Sequence, residues 1–200
     1  TEDLVAPTLS ENGKTVGEDV YLAFSPERID PGREDYKLTE IPKVLGGVTP
    51  SCGDHATALY EGVFDEIVRV NSSTEAELVK LLENTFRAVN IGLINEIAMI
   101  ANDLNVDVWE VVEAASTKPY GFMPFYPGPG LGGHCIPIDP LYLSWKAGQQ
   151  GIQTRFIDLA DQVNREMPVH VVRRVNELLN EEGLAVSQSS ILVVGVAYKS

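Results

Sequence analysis

The densest run of potentially reactive residues is GPGLGGHCIPIDP, Gly128–Pro140. Its glycines at 128, 130, 132 and 133 let backbone approach a ligand closely and permit positive φ. They serve equally well in a tight connector between helices. The spacing matches neither GxGxxG after a strand nor GxxxxGK[ST], so no nucleotide-binding fingerprint is present. Cys135 follows the glycines and precedes the helix that Pro140 opens. A thiol near a helix N-terminus can ionise at lowered pH, and the thiolate is the nucleophile; a free cysteine can also be simply a small buried hydrophobe. His134 is its chain neighbour, and adjacent residues rarely point at each other.

Three further sites could assist a thiol. Asp139 precedes Pro140 and reads locally as a helix N-cap, yet it stands four residues after Cys135, within reach as a base. Lys80 and Asn84 are spaced i, i+4 on a long helical stretch, so they share a face. Such a pair is either a solvated polar stripe or a device that stabilises a developing oxyanion. Glu27, in SPERID, follows an apolar strand, where α/β proteins commonly place active residues; a surface carboxylate is the plainer reading. Cys52, in TPSCGDH, opens an ordinary helix.

These residues need elements to hold them. In the first region, to about Asn71, Val20–Phe24, Lys43–Gly47 and Glu66–Val70 read as strands. Thr49 and Pro50 start a helix through about Phe64. The strand–helix–strand order suits part of a mostly parallel sheet. The second region is helical. Ser72 with Glu75, and Thr74 with Glu77, have capping-box spacing. Apolar residues then recur at Leu78, Leu81, Leu82, Phe86, Val89, Leu93, Ile97, Ile100 and Leu104. A helix from Thr74 to Leu104 would be about 45 Å long, long enough to serve as a spine for other units or a second subunit. Asp107 and Glu110 start a shorter helix through about Ala115.

The loop Lys118–Pro140 is dense in Gly, Pro and aromatics. Its aromatics, with Met123, Ile136 and Ile138, argue for packing rather than disorder. Helices follow from Asp139 to about Ala147 and from Arg155 to about Asn180. The apolar run Ile191–Tyr198 reads as a strand of a covered sheet whose partners would follow it. The natural protein is therefore expected to continue.

Bulk properties narrow the possibilities. The 200 residues carry a formal charge of −14 and 44% hydrophobic content. That charge repels a phosphate backbone, so nucleic acid is not an expected partner. No apolar run approaches the length of a membrane span, and no membrane partner is expected. Two distant cysteines without CxxC spacing make a disulfide or a zinc site unexpected and suit a cytoplasmic protein.

Taken in order, SPERIDPG (Ser25–Gly32), ELVKLLENTFRAVNIGLINEIA (Glu77–Ala98), GPGLGGHCIPIDP and VGVAYK (Val194–Lys199) resemble the UDP-glucose/GDP-mannose dehydrogenase family. The GGHCIPIDP form, rather than a GGSCFPKD-like one, looks most like the UDP-N-acetylhexosamine branch, N-acetylglucosamine first and N-acetylmannosamine second. The UDP-glucose type is the alternative. The resemblance implies an α/β fold with a central all-helical dimerisation domain, like that of 6-phosphogluconate dehydrogenase, flanked by pieces of Rossmann-like domains. It assigns 1–71 to the second half of an NAD-binding domain, 72–165 to the central domain, and 166–200 to a connecting helix and the first strand of a nucleotide-sugar domain.

It further implies a homodimer, NAD as cofactor, a UDP-sugar substrate and a place in polysaccharide biosynthesis. Cys135 would capture an aldehyde, Lys80 and Asn84 would stabilise oxyanions, Asp139 would position or activate water, and Glu27 would act as base. Arg28, Tyr126, Gly132 and Gly133, with Tyr198 and Lys199, would contact the sugar nucleotide. The family's dinucleotide glycine loop is absent from these residues, so the chain by itself is not expected to turn over; a non-catalytic dimerisation scaffold is the competing reading. The UDP-glucose members carry a second acidic residue where Pro31 stands. A redox-sensing thiol protein would want a resolving cysteine, which is missing.

Overall fold

The computed structural model describes residues 1–29 and 36–195, and these fall into two compact units, Thr1–Glu83 and the residues from Asn84. In the first unit a helix α1 (Val5–Glu11), not foreseen in the sequence, precedes a three-stranded sheet ordered β1 (Ala23–Phe24), β2 (Lys43–Gly47), β3 (Ile67–Val70). β2 and β3 are parallel, in register from Lys43 opposite Ile67 to Gly46 opposite Val70. β1 is shorter than the expected Val20–Phe24 and runs antiparallel, Ala23 opposite Gly47. This is a correction to the mostly parallel sheet.

Helix α2 (Pro50–Tyr60) ends one turn before the expected Phe64. Thr49 caps it as its sequence signal requires, accepting the Cys52 N–H at 3.2 Å, with Pro50 at the first helical position. Buried Leu45 lies at the centre of β2. The glycines that close this strand are dictated by crowding. A Cβ on Gly46 would sit 1.9 Å from the Ser72 carbonyl oxygen, and one on Gly47 2.2 Å from the Gly53 nitrogen.

Helix α3 runs Ser73–Asp103, and the unit division falls inside it. Its start uses the Ser72–Glu75 capping box. Ser72 Oγ accepts the Glu75 N–H at 3.1 Å, and the Glu75 carboxylate accepts the Ser72 N–H at 3.1 Å. Its end turns through Asn105 at φ 53°, a left-handed position that asparagine tolerates. The apolar stripe read from the sequence is not what α3 buries. Leu78, Leu82, Phe86, Leu93, Ile97, Ile100 and Leu104 are 36–69% exposed, while Ala76, Ala88, Asn95 and Ala101 are buried.

In the second unit, α4 (Val108–Ser116) begins at Asp107, whose carboxylate accepts the Trp109 N–H at 2.9 Å. Helices α5 (Asp139–Gln149) and α6 (Arg155–Glu181) follow the loop. α3 and α6 meet where Gly92 faces Ala160; a Cβ on Gly92 would lie 3.2 Å from the Ala160 Cα. Ile157, Ala160, Val163 and Met167 supply the buried face of α6. Residues 191–195 form no strand and are exposed. Strand hydrogen bonds need a neighbouring strand, and none lies beside them among the described residues. Among the described residues, no helix is long and apolar enough to cross a membrane.

Candidate active site

Cys135 lies in the loop before α5, and its side chain is exposed, whereas Cys52 is buried. The Cys135 carbonyl accepts two N–H groups, from Ile138 at 3.0 Å and Asp139 at 2.8 Å, so the thiol-bearing residue is joined to the first turn of α5. Cys52 is differently placed. Its sulfur accepts from the Leu22 N–H at 3.2 Å and the Thr49 hydroxyl at 3.1 Å. Burial pushes the Cys52 thiol up, but the hydrogen bonds from Thr49 and the Leu22 backbone outweigh it, and the net shift is downward. Sealed inside the first unit, that sulfur can reach no substrate.

Asp139 departs from its local reading. It is the first residue of α5, the N-cap position belongs to Ile138, and no side chain caps the helix. The Asp139 carboxylate instead accepts from Asn84 Nδ2 at 2.6 Å, across 55 residues of chain. The tertiary partner wins because an amide–carboxylate bond is charge-assisted and half-buried. Asn84 and Asp139 are thereby brought together, and Asp139 is bonded through its backbone to Cys135.

The loop is held from below by a buried amide pair that the sequence reading missed. Asn95 Nδ2 donates to Asn164 Oδ1 at 2.9 Å, and Asn164 Nδ2 donates to the Ala88 carbonyl at 3.1 Å. Asn95 Oδ1 accepts the Gly128 N–H at 2.9 Å. α3, α6 and the loop thus share one satisfied network, which an interior requires of buried polar groups. Pro168 offers no N–H to the Asn164 carbonyl, and Gly130 (φ 120°) comes up against that oxygen, where a Cβ would lie 2.9 Å away. The available signal was two asparagines within the buried faces of long helices.

The other sequence candidates are placed as follows. Gly132 and Gly133 are exposed, Gly133 at φ 85°. Tyr126 stacks on Trp109 of α4, ring centroids 5.8 Å apart, and Phe125 meets Phe86 edge-on at 5.8 Å. The loop therefore packs through its aromatics, while Met123 and Ile138, expected to be buried, are exposed. Glu27, Arg28 and Lys80 belong to the first unit. Glu27 is exposed and accepts the Ile29 N–H at 2.7 Å. Arg28 is engaged with Glu83 and the Pro42 carbonyl. Lys80 is half-buried on α3. Pro31, Tyr198 and Lys199 lie outside the described residues.

NAD would need an open glycine turn at a helix N-terminus for its pyrophosphate. The β2–α2 turn does not fit that need: backbone of Ser72 and Gly53 fills the space over Gly46 and Gly47, and Thr49 occupies the first turn of α2. No residue of this chain is assigned to the dinucleotide.

Residues 74–166 match the profile of the UDP-glucose/GDP-mannose dehydrogenase family, central domain. The UDP-N-acetyl-D-glucosamine 6-dehydrogenase of Salmonella typhi is 36% identical over 201 residues, covering 100% of this chain and 47% of that protein. The UDP-N-acetyl-D-mannosamine dehydrogenase of Pyrococcus horikoshii is 36% identical over 199 residues, covering 100% and 47%. The solved structure of UDP-D-ManNAc dehydrogenase from Pyrococcus horikoshii superposes with a TM-score of 0.89 at 35% identity, over 99% of this chain and 46% of that one. Residues 74–166 thus match the central domain of the UDP-glucose/GDP-mannose dehydrogenase family, and relatives about 35% identical over the whole chain are named as UDP-N-acetylhexosamine dehydrogenases. It spans about half the length of the curated relatives it matches.

Proposed function

We propose that the whole protein oxidises C6 of a UDP-N-acetylhexosamine from alcohol to carboxylate, a four-electron change with NAD as the acceptor of both hydrides. The observation that carries this reading is the exposed Cys135 thiol, one turn from a carboxylate that Asn84 holds at 2.6 Å. The central-domain match and the names of the relatives support the substrate class.

In the first oxidation the alcohol at C6 loses a proton and a hydride and becomes an aldehyde. The Cys135 sulfur adds to its carbon, the carbonyl oxygen gains the proton, and a thiohemiacetal results. Loss of a second hydride and a proton leaves a thioester. Water then splits the carbon–sulfur bond, releasing the acid and restoring the thiol. Covalent capture keeps the aldehyde in place between the two oxidations. Lys80 and Asn84 supply an ammonium and an amide on one helix face for the oxyanions at C6. Asp139 positions or activates the water, and Glu27 takes a proton in thioester breakdown. Gly132, Gly133 and Tyr126 line the approach for the sugar nucleotide. The cysteine usage suits a cytoplasmic enzyme, and the product class suits polysaccharide synthesis.

The whole protein, supplied with NAD and UDP-N-acetylglucosamine or UDP-N-acetylmannosamine, is expected to form two NADH per sugar consumed. Turnover confined to UDP-glucose would move the assignment to the alternative branch; one NADH per sugar would remove the second oxidation from the scheme.

The exposed apolar stripe of α3 supports a homodimer through the helical domain. Six large apolar side chains recur along α3 and a seventh, Leu104, follows its last residue, all at 36–69% exposure, more than a lone surface helix leaves in water. Sedimentation at micromolar concentration is expected to give a dimer, and Leu93→Glu with Ile100→Glu a monomer. A wild-type chain that sediments only as monomer refutes the interface.

A further inference from the structure

Arg28 is the residue whose surroundings fit its expected role least well. Three of its guanidinium hydrogen bonds are already spent. Nε donates to Glu83 Oε1 at 2.9 Å, Nη2 lies 2.8 Å from the same oxygen, and Nη1 donates to the Pro42 carbonyl at 2.8 Å. One planar fork therefore joins the turn after β1, the approach to β2, and α3.

The turn is anchored on its other side too. Ser25 Oγ donates to the Val44 carbonyl at 2.6 Å, and Lys43 Nζ reaches the Pro26 carbonyl at 3.5 Å. Pro26 is fully buried. Glu27 thus stands between two fixed residues, with its own carboxylate exposed. Glu83 follows Lys80 by three residues, on the same surface of α3.

Resting on the dehydrogenase reading, we propose that Arg28 and Glu83 are a positioning pair. The guanidinium fastens the Ser25–Ile29 turn to α3 and so sets the Glu27 base relative to the helix turn that carries Lys80. Arg28 acts through Glu27 and does not serve as a contact to the sugar nucleotide. A lysine could not replace it, because an ammonium cannot bridge Glu83 and the Pro42 carbonyl in one plane. The pair is partly exposed, so its removal leaves folding nearly untouched and the effect falls on geometry.

The test uses the whole enzyme with Arg28→Gln, Glu83→Gln, the double variant, and each change added to Glu27→Gln. Each single variant is expected to lower kcat about 10- to 100-fold, the scale of a misplaced catalytic group. KM for the UDP-sugar should stay near wild type, and the double variant should be no slower than the worse single one. In the Glu27→Gln background neither change should slow turnover further. A raised KM with kcat intact for Arg28→Gln, and a harmless Glu83→Gln, would return Arg28 to substrate binding and overturn the pair. Further losses in the Glu27→Gln background, or unchanged kcat throughout, overturn it as well. Wild-type enzyme that fails to give two NADH per sugar overturns the dehydrogenase reading itself, whereas the variant outcomes above overturn the pair while wild-type stoichiometry stays at two, so the two failures are separable.

Discussion

Replacing Cys135 with Ser in the whole protein is expected to cut uronic-acid formation by about 10⁴- to 10⁶-fold, the range for loss of a covalent nucleophile. A serine hydroxyl is a far weaker acid and nucleophile than a thiol, and it presents no alkoxide at neutral pH. In the proposed scheme the first hydride leaves without help from the thiol, so the residual product should be aldehyde, and NADH per sugar should fall from two to one. Cys52→Ser is the matched comparison. The Cys52 sulfur only accepts bonds from Leu22 and Thr49, and a serine oxygen can accept both. That variant should keep its rate. Alkylation by iodoacetamide should follow the same division, labelling exposed Cys135 before buried Cys52. A Cys135→Ser enzyme that still delivers two NADH per sugar would end the covalent scheme, whatever the family.

The elements that were legible in the sequence are those whose chemistry is local. Thr49 and Pro50 mark α2, Ser72 and Glu75 mark α3, and Asp107 marks α4, because each satisfies helix N–H groups a few residues away. What went unread depends on partners far along the chain. Asp139 has an N-cap's sequence context, yet its carboxylate is taken by Asn84, 55 residues distant. Asn95 and Asn164 are 69 residues apart, and neither carries a local signal that its amide will hold the glycine loop. The α3 periodicity was visible, but periodicity reports a sticky face and not what covers it. Small residues, Ala88 and Gly92 among them, make the intramolecular contact instead, because they let helices approach closely. The proposed reactive residues come as a set from family resemblance, and both the set and the separate roles are a matter for substitution.

Asp139→Asn separates two such roles. Asp139 is not the cap of α5, so the change forfeits no capping bond. An asparagine oxygen can still accept from Asn84 Nδ2, preserving the link now 2.6 Å long. The acidic group also sits in the first turn of α5, where its charge complements the helix dipole by roughly 0.3–1 kcal/mol. Loss of stability on urea unfolding should therefore stay within about 1 kcal/mol. The task at the thioester proposed for the carboxylate has no such substitute. Hydrolysis is expected to slow by about 10²- to 10⁴-fold, the scale of lost acid–base help. The two oxidations precede that step, so a burst of two NADH per active site should be followed by a slow phase. The intact protein should gain the mass of the sugar nucleotide on Cys135. Should the variant turn over rapidly with no adduct, Asp139 would be left with only its bond to Asn84, and Glu27 would be the group that activates water.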